Sequence, residues 1–209
     1  MTVKRHKAGY HDRNLYQNIA SATKLREMKR NNENINDFIP YKLEDINCDI
    51  PYDISNLDSA IISKLRLMTA EELQNISEVT EGIENRILSS ANMSYSFETL
   101  VENVKNKRYT TSKIRRMIIS ALIGFTKDIY SPMPQYIRIL GMNKVGMTIL
   151  KQAKDICKVP IITKTADFKE QSPQFNLDVR ATNIAMLCNP IPTHRIGNAD
   201  LKKSPIIMK

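Results

Sequence analysis

The 209-residue sequence is short of cysteine, with three in all, and has only six glycines, three histidines and no long hydrophobic run. Each shortage removes a class of protein. Cys48, Cys157 and Cys188 are far apart, odd in number and without nearby histidine pairs. They form neither a disulfide framework nor a zinc-ligand spacing, and they predict reduced, buried thiols in a cytoplasmic protein. Apolar stretches such as Met117-Ile118-Ile119 and Ala121 to Ile123, split by Ser120, are short. They fall far short of the roughly 18 residues that cross a bilayer. Behind the basic start "MTVKRHK" comes polar "GYHDRN", so no secretory apolar region follows and no membrane partner is expected. His6, His11 and His194 form no H-E-x-x-H pair and no Ser-His-Asp arrangement, and no Walker A loop or placeable carboxylate pair is present. No metal is expected from these residues, and they do not compose a complete active site.

What is present is charge, sorted along the chain. Lys and Arg outnumber Asp and Glu by nine overall. Residues 1–43 carry +5, 44–104 carry −9, 105–160 carry +10 and 161–209 carry +3. An acidic block abutting a basic one predicts a single face for a polyanion, with the other kept clear of it.

Hydrophobic residues make up 42% of the chain, a globular value. The periodicity predicts a mainly α protein with a minor β element. "TVKR" alternates like a short strand. Ser21 reads as the N-cap of a helix over 22–30, and "INDFI" as a short helix ending at Pro40. Residues 41–53 read as an extended connector. Leu57, Ile61, Ile62 and Leu65 recur at helical spacing, Thr69 and Glu72 make a capping box, and Ile83, Ile87, Leu88 and Ala91 form another stripe. Ser96 caps a helix through Val104. Thr110 or Thr111 starts the strongest one, with Ile114, Met117, Ile118, Ala121 and Leu122 on one face and Gly124 near its end. "YIRIL" and "VPIIT" have strand character and flank a helix over 144–156. The segment after Pro190 reads as loosely held.

Two stretches can carry chemistry. "IASATKLR" leads small hydroxylated residues into a helix, presenting amides, hydroxyls, Lys24 and Arg26 to an anion; an ordinary N-cap looks the same. "KNKRYTTSKIRRM" holds six cations and no acid: Lys105, Lys107, Arg108, Lys113, Arg115 and Arg116. With Ile114, Met117 and Ile118 facing inward, Arg115 and Arg116 project outward, and Tyr109 offers a ring for a base or an arginine. A phosphate backbone would relieve the repulsion, and Lys127, Arg138, Lys144 and Lys151 extend the cluster. A solvated face partnered by the acidic block is the alternative.

Beyond these local readings, "TVKRHKAGYHD", "IASATKLRE", "EGIENRI", "KNKRYTTSKIRRM", "YIRILGM", "VPIIT" and "LDVRATNI" occur in that order. The string resembles the C-terminal half of the bacterial tRNA(Met) cytidine acetate ligase family, which is similar to HIGH-type nucleotidyltransferases. The resemblance implies an ATP-dependent enzyme, with magnesium accompanying the nucleotide, that acetylates the wobble cytidine of elongator methionine tRNA from acetate through acetyl-adenylate. It implies nucleotide contacts at Arg5, His6, Ser21, Thr23 and Arg26, and tRNA contacts at Lys107, Arg108, Lys113, Arg115 and Arg116. It also implies residues 1–45 as the C-terminal piece of an α/β nucleotidyltransferase domain, 46–190 as a helical tRNA-binding domain and 191–209 as a loosely ordered tail. The family's N-P-F-H-x-G-H type turn has no counterpart in this sequence. The expectation is therefore a fragment with little activity alone, requiring a partner polypeptide that carries the missing half. A non-catalytic RNA-binding module is the rival reading.

Overall fold

The computed structural model describes Gly9 and residues 13–39, 52–80, 82–131, 133–169 and 172–208. The opening strand expected at "TVKR", and with it Arg5, His6, His11 and Cys48, lie outside the described residues. Two compact units emerge, Met1–Asp53 and Ile54–Lys209.

In the first unit, α1 (Ala22–Arg30) begins where Ser21 accepts a hydrogen bond from the Lys24 amide on its side chain. A short 3-10 turn follows at Asn36–Phe38. Arg30 donates to the carbonyl of Tyr52 at 3.2 Å.

The second unit is mainly helical. A 3-10 turn at Ile54–Leu57 leads into α2 (Asp58–Leu67), then α3 (Ala70–Gln74), α4 (Ile83–Met93), α5 (Phe97–Val104) and α6 (Thr111–Ile123). The starts are set by side chains. Thr69 and Glu72 form the expected capping box on α3, Ser96 pairs with Thr99 in one on α5, and Thr110 accepts from the Lys113 amide at α6. Asp58 on α2 accepts from the Phe97 amide at 2.8 Å, pinning the start of α5 against it. Gly124 ends α6 in the left-handed region at φ 71°, where a Cβ would meet Arg180 Nη1 at 2.7 Å. The apolar faces converge on one core that includes Ile61, Leu65, Leu73, Ile87, Phe97, Leu100, Ile114 and Met117.

Helix C-termini need donor partners, since the last turn leaves its carbonyls unbonded. Two arginines of the acidic block serve here. Arg66 donates to the carbonyls of Ala91, Asn92 and Ser94 at the end of α4. Arg86 donates to those of Asn103, Val104 and Lys105 at the end of α5, with distances of 2.7 to 3.1 Å. Glu84, two residues before Arg86, is buried, and its Oε1 accepts from Gln74 and Asn85. The Gln74 hydrogen bond, opposed by burial and aided by nearby amides and Lys127, holds its carboxyl below the usual carboxylate range.

Beyond α6 come β1 (Ile137–Arg138), β2 (Gly141–Met142), α7 (Lys144–Ile156), β3 (Ile161–Ile162), α8 (Pro173–Met186), α9 (Ala199–Lys202) and β4 (Ile206–Ile207). β1 pairs with β3 and β2 with β4, both parallel, and α7 lies in the connection that carries the chain from β1 to β3. The segment after Pro190, expected to be loosely held, instead carries α9 and β4. Its Asp200 bonds Arg138 at 2.8 Å, and Arg195 donates to the Asn189 carbonyl at 2.7 Å. A partly buried ion pair and a parallel strand, both formed across long sequence separations, connect this segment to β1 and β2.

Leu100 is fully buried and Met93 is 72% exposed. Leu100→Ala should cost about 2–5 kcal/mol in urea denaturation, and Met93→Ala within about 0.5 kcal/mol. Because the folded Glu84 carboxyl lies below its ordinary 4.5, it contributes stability above that pH that is lost as pH falls through the folded value. Glu84→Gln should flatten the acid side of the stability profile; an unchanged acid limb would show that Glu84 does not drive it.

Candidate nucleic-acid interface

The basic stretch divides into a loop and a helix, and the fold treats them differently. Lys107 and Arg108 sit exposed in the loop that follows the Arg86 clamp, and neither forms an ion pair with a described residue. The side chain of Asn106 accepts the amides of Arg108 and Tyr109 at 2.9 and 3.0 Å, so the loop is a fixed turn. Tyr109 is not a free ring. It is buried, its hydroxyl lies 2.6 Å from that of Thr80, and Arg108 and Lys113 lie over its face at 5.4 and 5.2 Å. The ring holds two cations side by side at the surface.

On α6 the expected division of faces is present. Ile114, Met117 and Ile118 are buried, while Arg115 is half-buried and Arg116 exposed. Both arginines have partners in the acidic block. Arg115 bonds Glu98, and Arg116 Nε reaches both oxygens of Glu78 at 3.0 Å. The carboxylates are surface groups: the Glu98 side chain is 62% exposed. Exposed pairs of this kind contribute about 0.2–1 kcal/mol each, so they hold the guanidiniums in place without sequestering them.

Between these arginines lies a cleft of about 410 Å³ with an apolar floor of Ile54, Phe97, Ile119 and Phe125. Arg115 sits over the Phe97 ring at 5.1 Å. Sequence reasoning missed the cleft because its walls come from three distant segments. The alternative of partners from the acidic block is realised at Glu78 and Glu98, 38 and 17 residues from their arginines, which the sequence did not single out. Arg138, which the sequence adds to the cationic cluster, is instead tied to partly buried Asp200. That contact raises the Arg138 pKa, outweighing burial, which lowers it. Lys127 and Lys151 are exposed, as is Lys144 at the start of α7.

At α1, Ser21 is buried as the cap, Thr23 is half-buried and Arg26 is exposed with no ion pair to a described residue. The first turn carries no acid, and its leading amides have no intrahelical acceptor. Lys24 lies 3.7 Å from Glu27. Ser21, Thr23 and Arg26 are thus brought to one helix end, an arrangement that suits an anion. Of the cysteines, Cys188 is buried and Cys157 half-buried. No described helix is long and apolar enough to cross a membrane.

A family model described as HIGH Nucleotidyl Transferase matches residues 1–200. The tRNA(Met) cytidine acetate ligase of Thermosipho africanus is 33% identical over 99% of this chain and 56% of its own length. The enzyme of that name from Acetivibrio thermocellus is 30% identical over 100% and 55%. Crystal structures of Thermotoga maritima TmcAL are similar at 28% identity. The apo form gives a TM-score of 0.84 over 99% of this chain and 55% of that one, and the form bound with alpha-thio ATP gives 0.77 over 91% and 52%. The chain spans about half the length of the curated relatives it matches.

Glu78 has φ 66°, in the left-handed region. That conformation costs a non-glycine residue roughly 1–2 kcal/mol. Glycine would relieve it at a chain-entropy cost of about 0.5–1 kcal/mol. With the lost ion pair added, at about 0.2–1 kcal/mol, Glu78→Gly should change stability by less than about 1 kcal/mol in thermal denaturation. A loss above about 2 kcal/mol would mean that the Arg116–Glu78 contact holds the fold.

Proposed function

Because this chain belongs to the HIGH nucleotidyl transferase family, we propose that it supplies the C-terminal part of an ATP-dependent ligase that acetylates the wobble cytidine of elongator tRNA(Met). Two curated relatives carry the name tRNA(Met) cytidine acetate ligase, and a similar structure binds an ATP analogue. The observation that carries the reading is the arrangement of α6. It buries Ile114, Met117 and Ile118 and turns Lys113, Arg115 and Arg116 to the other side, beside exposed Lys107 and Arg108.

In the reaction, an acetate oxygen attacks the α-phosphorus of ATP, forming acetyl-adenylate and releasing pyrophosphate. The exocyclic amine of the cytidine then attacks the acyl carbon, loses a proton and expels AMP. The RNA supplies the nucleophile, so no protein nucleophile is needed. Residues of this chain bind and stabilise charge. The α1 end suits a triphosphate: Ser21 fixes the turn, Thr23 adds a hydroxyl and Arg26 is free of described carboxylates. A cation there stabilises the charge that grows on departing pyrophosphate. Arg5 and His6 join this group by resemblance, and magnesium accompanies the phosphates. The cations of the loop and α6 hold the tRNA backbone, with Glu78 and Glu98 giving way to phosphate oxygens as RNA docks.

The histidine turn of the family is absent from these 209 residues. A polypeptide of this sequence alone should acetylate tRNA(Met) only at background, and a partner polypeptide bearing that turn should restore activity. Acetylation well above background by the purified chain alone would contradict this. A non-catalytic RNA-binding module is the second reading, favoured by the exposed cations of the loop and α6; ATP binding by the chain would count against it. The RNA face has its own test. Each phosphate contact contributes roughly 0.7–0.9 to the log–log salt slope of binding. Arg115→Ala with Arg116→Ala should lower the slope for a tRNA(Met) transcript by about 1.5 and weaken binding. An unchanged slope would mean that α6 faces only solvent.

A further inference from the structure

The cleft beside α6 has a composition that a phosphate-binding face alone does not require. A surface that only tracks a backbone needs cations, yet this one also carries an open, largely apolar cleft of about 410 Å³ between them. That volume falls in the range of roughly 300–1,000 Å³ typical of small-ligand pockets. Phe97 forms the floor at 1% exposure, with the Arg115 guanidinium over its ring. Phe125 and Ile119 form the sides, and Arg116 closes the rim, fixed by Glu78 through two contacts at 3.0 Å.

Unpaired bases are held in just this way, their faces stacked on aromatic rings or on arginine guanidinium planes, with a phosphate at a neighbouring cation. We propose that the cleft is a subsite for one unstacked base of a single-stranded RNA segment. The base lies against the Arg115 guanidinium, continuing the stack that Phe97 begins, and its edge reaches the apolar walls of Ile119 and Phe125. The flanking phosphate takes the place of Glu98 on Arg115. That exchange is open because the Glu98 side chain is largely exposed, while Arg116, oriented at the rim by two contacts to Glu78 in the free protein, meets a further phosphate when that carboxylate yields. An RNA occupant fits better than an apolar peptide because the rim carries two guanidiniums, with Arg108 and Lys113 held on Tyr109 as further cations on the same basic stretch. The proposal rests on the reading that the α6 face binds RNA, and its test separates the two.

A short single-stranded oligoribonucleotide carrying 2-aminopurine at successive positions is titrated into the wild-type protein, alongside matched oligomers abasic at each position. One position should show a fluorescence change, and its abasic oligomer should bind about tenfold more weakly while keeping the same salt slope. Ile119→Trp, which fills the cleft from its rim, should abolish the base-dependent part and leave the slope unchanged. Equal affinity of intact and abasic oligomers at every position, with a salt slope that Arg115→Ala still lowers, would overturn the subsite and leave the RNA face standing. No binding of any oligomer would overturn both. The wild-type comparison decides the matter even if the tryptophan variant fails to fold.

Discussion

The grip of Arg86 on three carbonyls at the end of α5 fixes the point where the chain changes from acidic to basic. The unbonded carbonyls of a helix C-terminus must find donors, and one planar guanidinium reaching Asn103, Val104 and Lys105 supplies them. The next residues form the Asn106 turn, and the Thr110 cap starts α6. Arg86 lies in "EGIENRI", one of the phrases that mark the family, and the other ionisable residue of its central part, Glu84, is also structural, bridging to Gln74. Neither touches a surface proposed to bind a ligand. Both set where the cationic loop and helix stand.

Two kinds of force hold α6, and their sizes decide what can move. On the inner side, burying Ile114, Met117 and Ile118 is worth roughly 1.5–3 kcal/mol for each side chain. On the outer side, the pairs with Glu98 and Glu78 are worth about 0.2–1 kcal/mol each. The helix is therefore seated by its apolar face, and its carboxylate partners can exchange for phosphate oxygens without disturbing the core. The sorting of charge along the chain takes a specific form in three dimensions. Acidic residues hold the arginines in an oriented, half-screened state, while Lys107 and Arg108 stay clear of described carboxylates.

Much of the helical part was legible because its signals are local. Ser21, Thr69, Ser96 and Thr110 each cap a helix with a side chain that the sequence displays within three residues of its partner. Stripes such as Ile83, Ile87 and Ala91 point inward as their spacing says. α8 was not read from the sequence: its apolar residues do not gather on one face, and it buries only Phe175 and Leu177. α7 was found from its pattern, yet Val145 and Ile156 on it remain exposed, since a periodic stripe says nothing about what covers it. The site was read less completely. The cations of α6 were evident, but their carboxylate partners, the diversion of Arg138 to Asp200 and the cleft floor all depend on contacts between distant segments, which a single sequence does not display.

The central claim is that the outward face at the start of α6, together with the loop before it, receives RNA. Lysine footprinting tests it most directly, by comparing the chemical reactivity of individual lysines with and without a tRNA(Met) transcript. Lys107 and Lys113 should become protected, while exposed Lys64, in the acidic block, should react as before. Equal protection of all three, or loss of reactivity at Lys64 alone, would contradict the account.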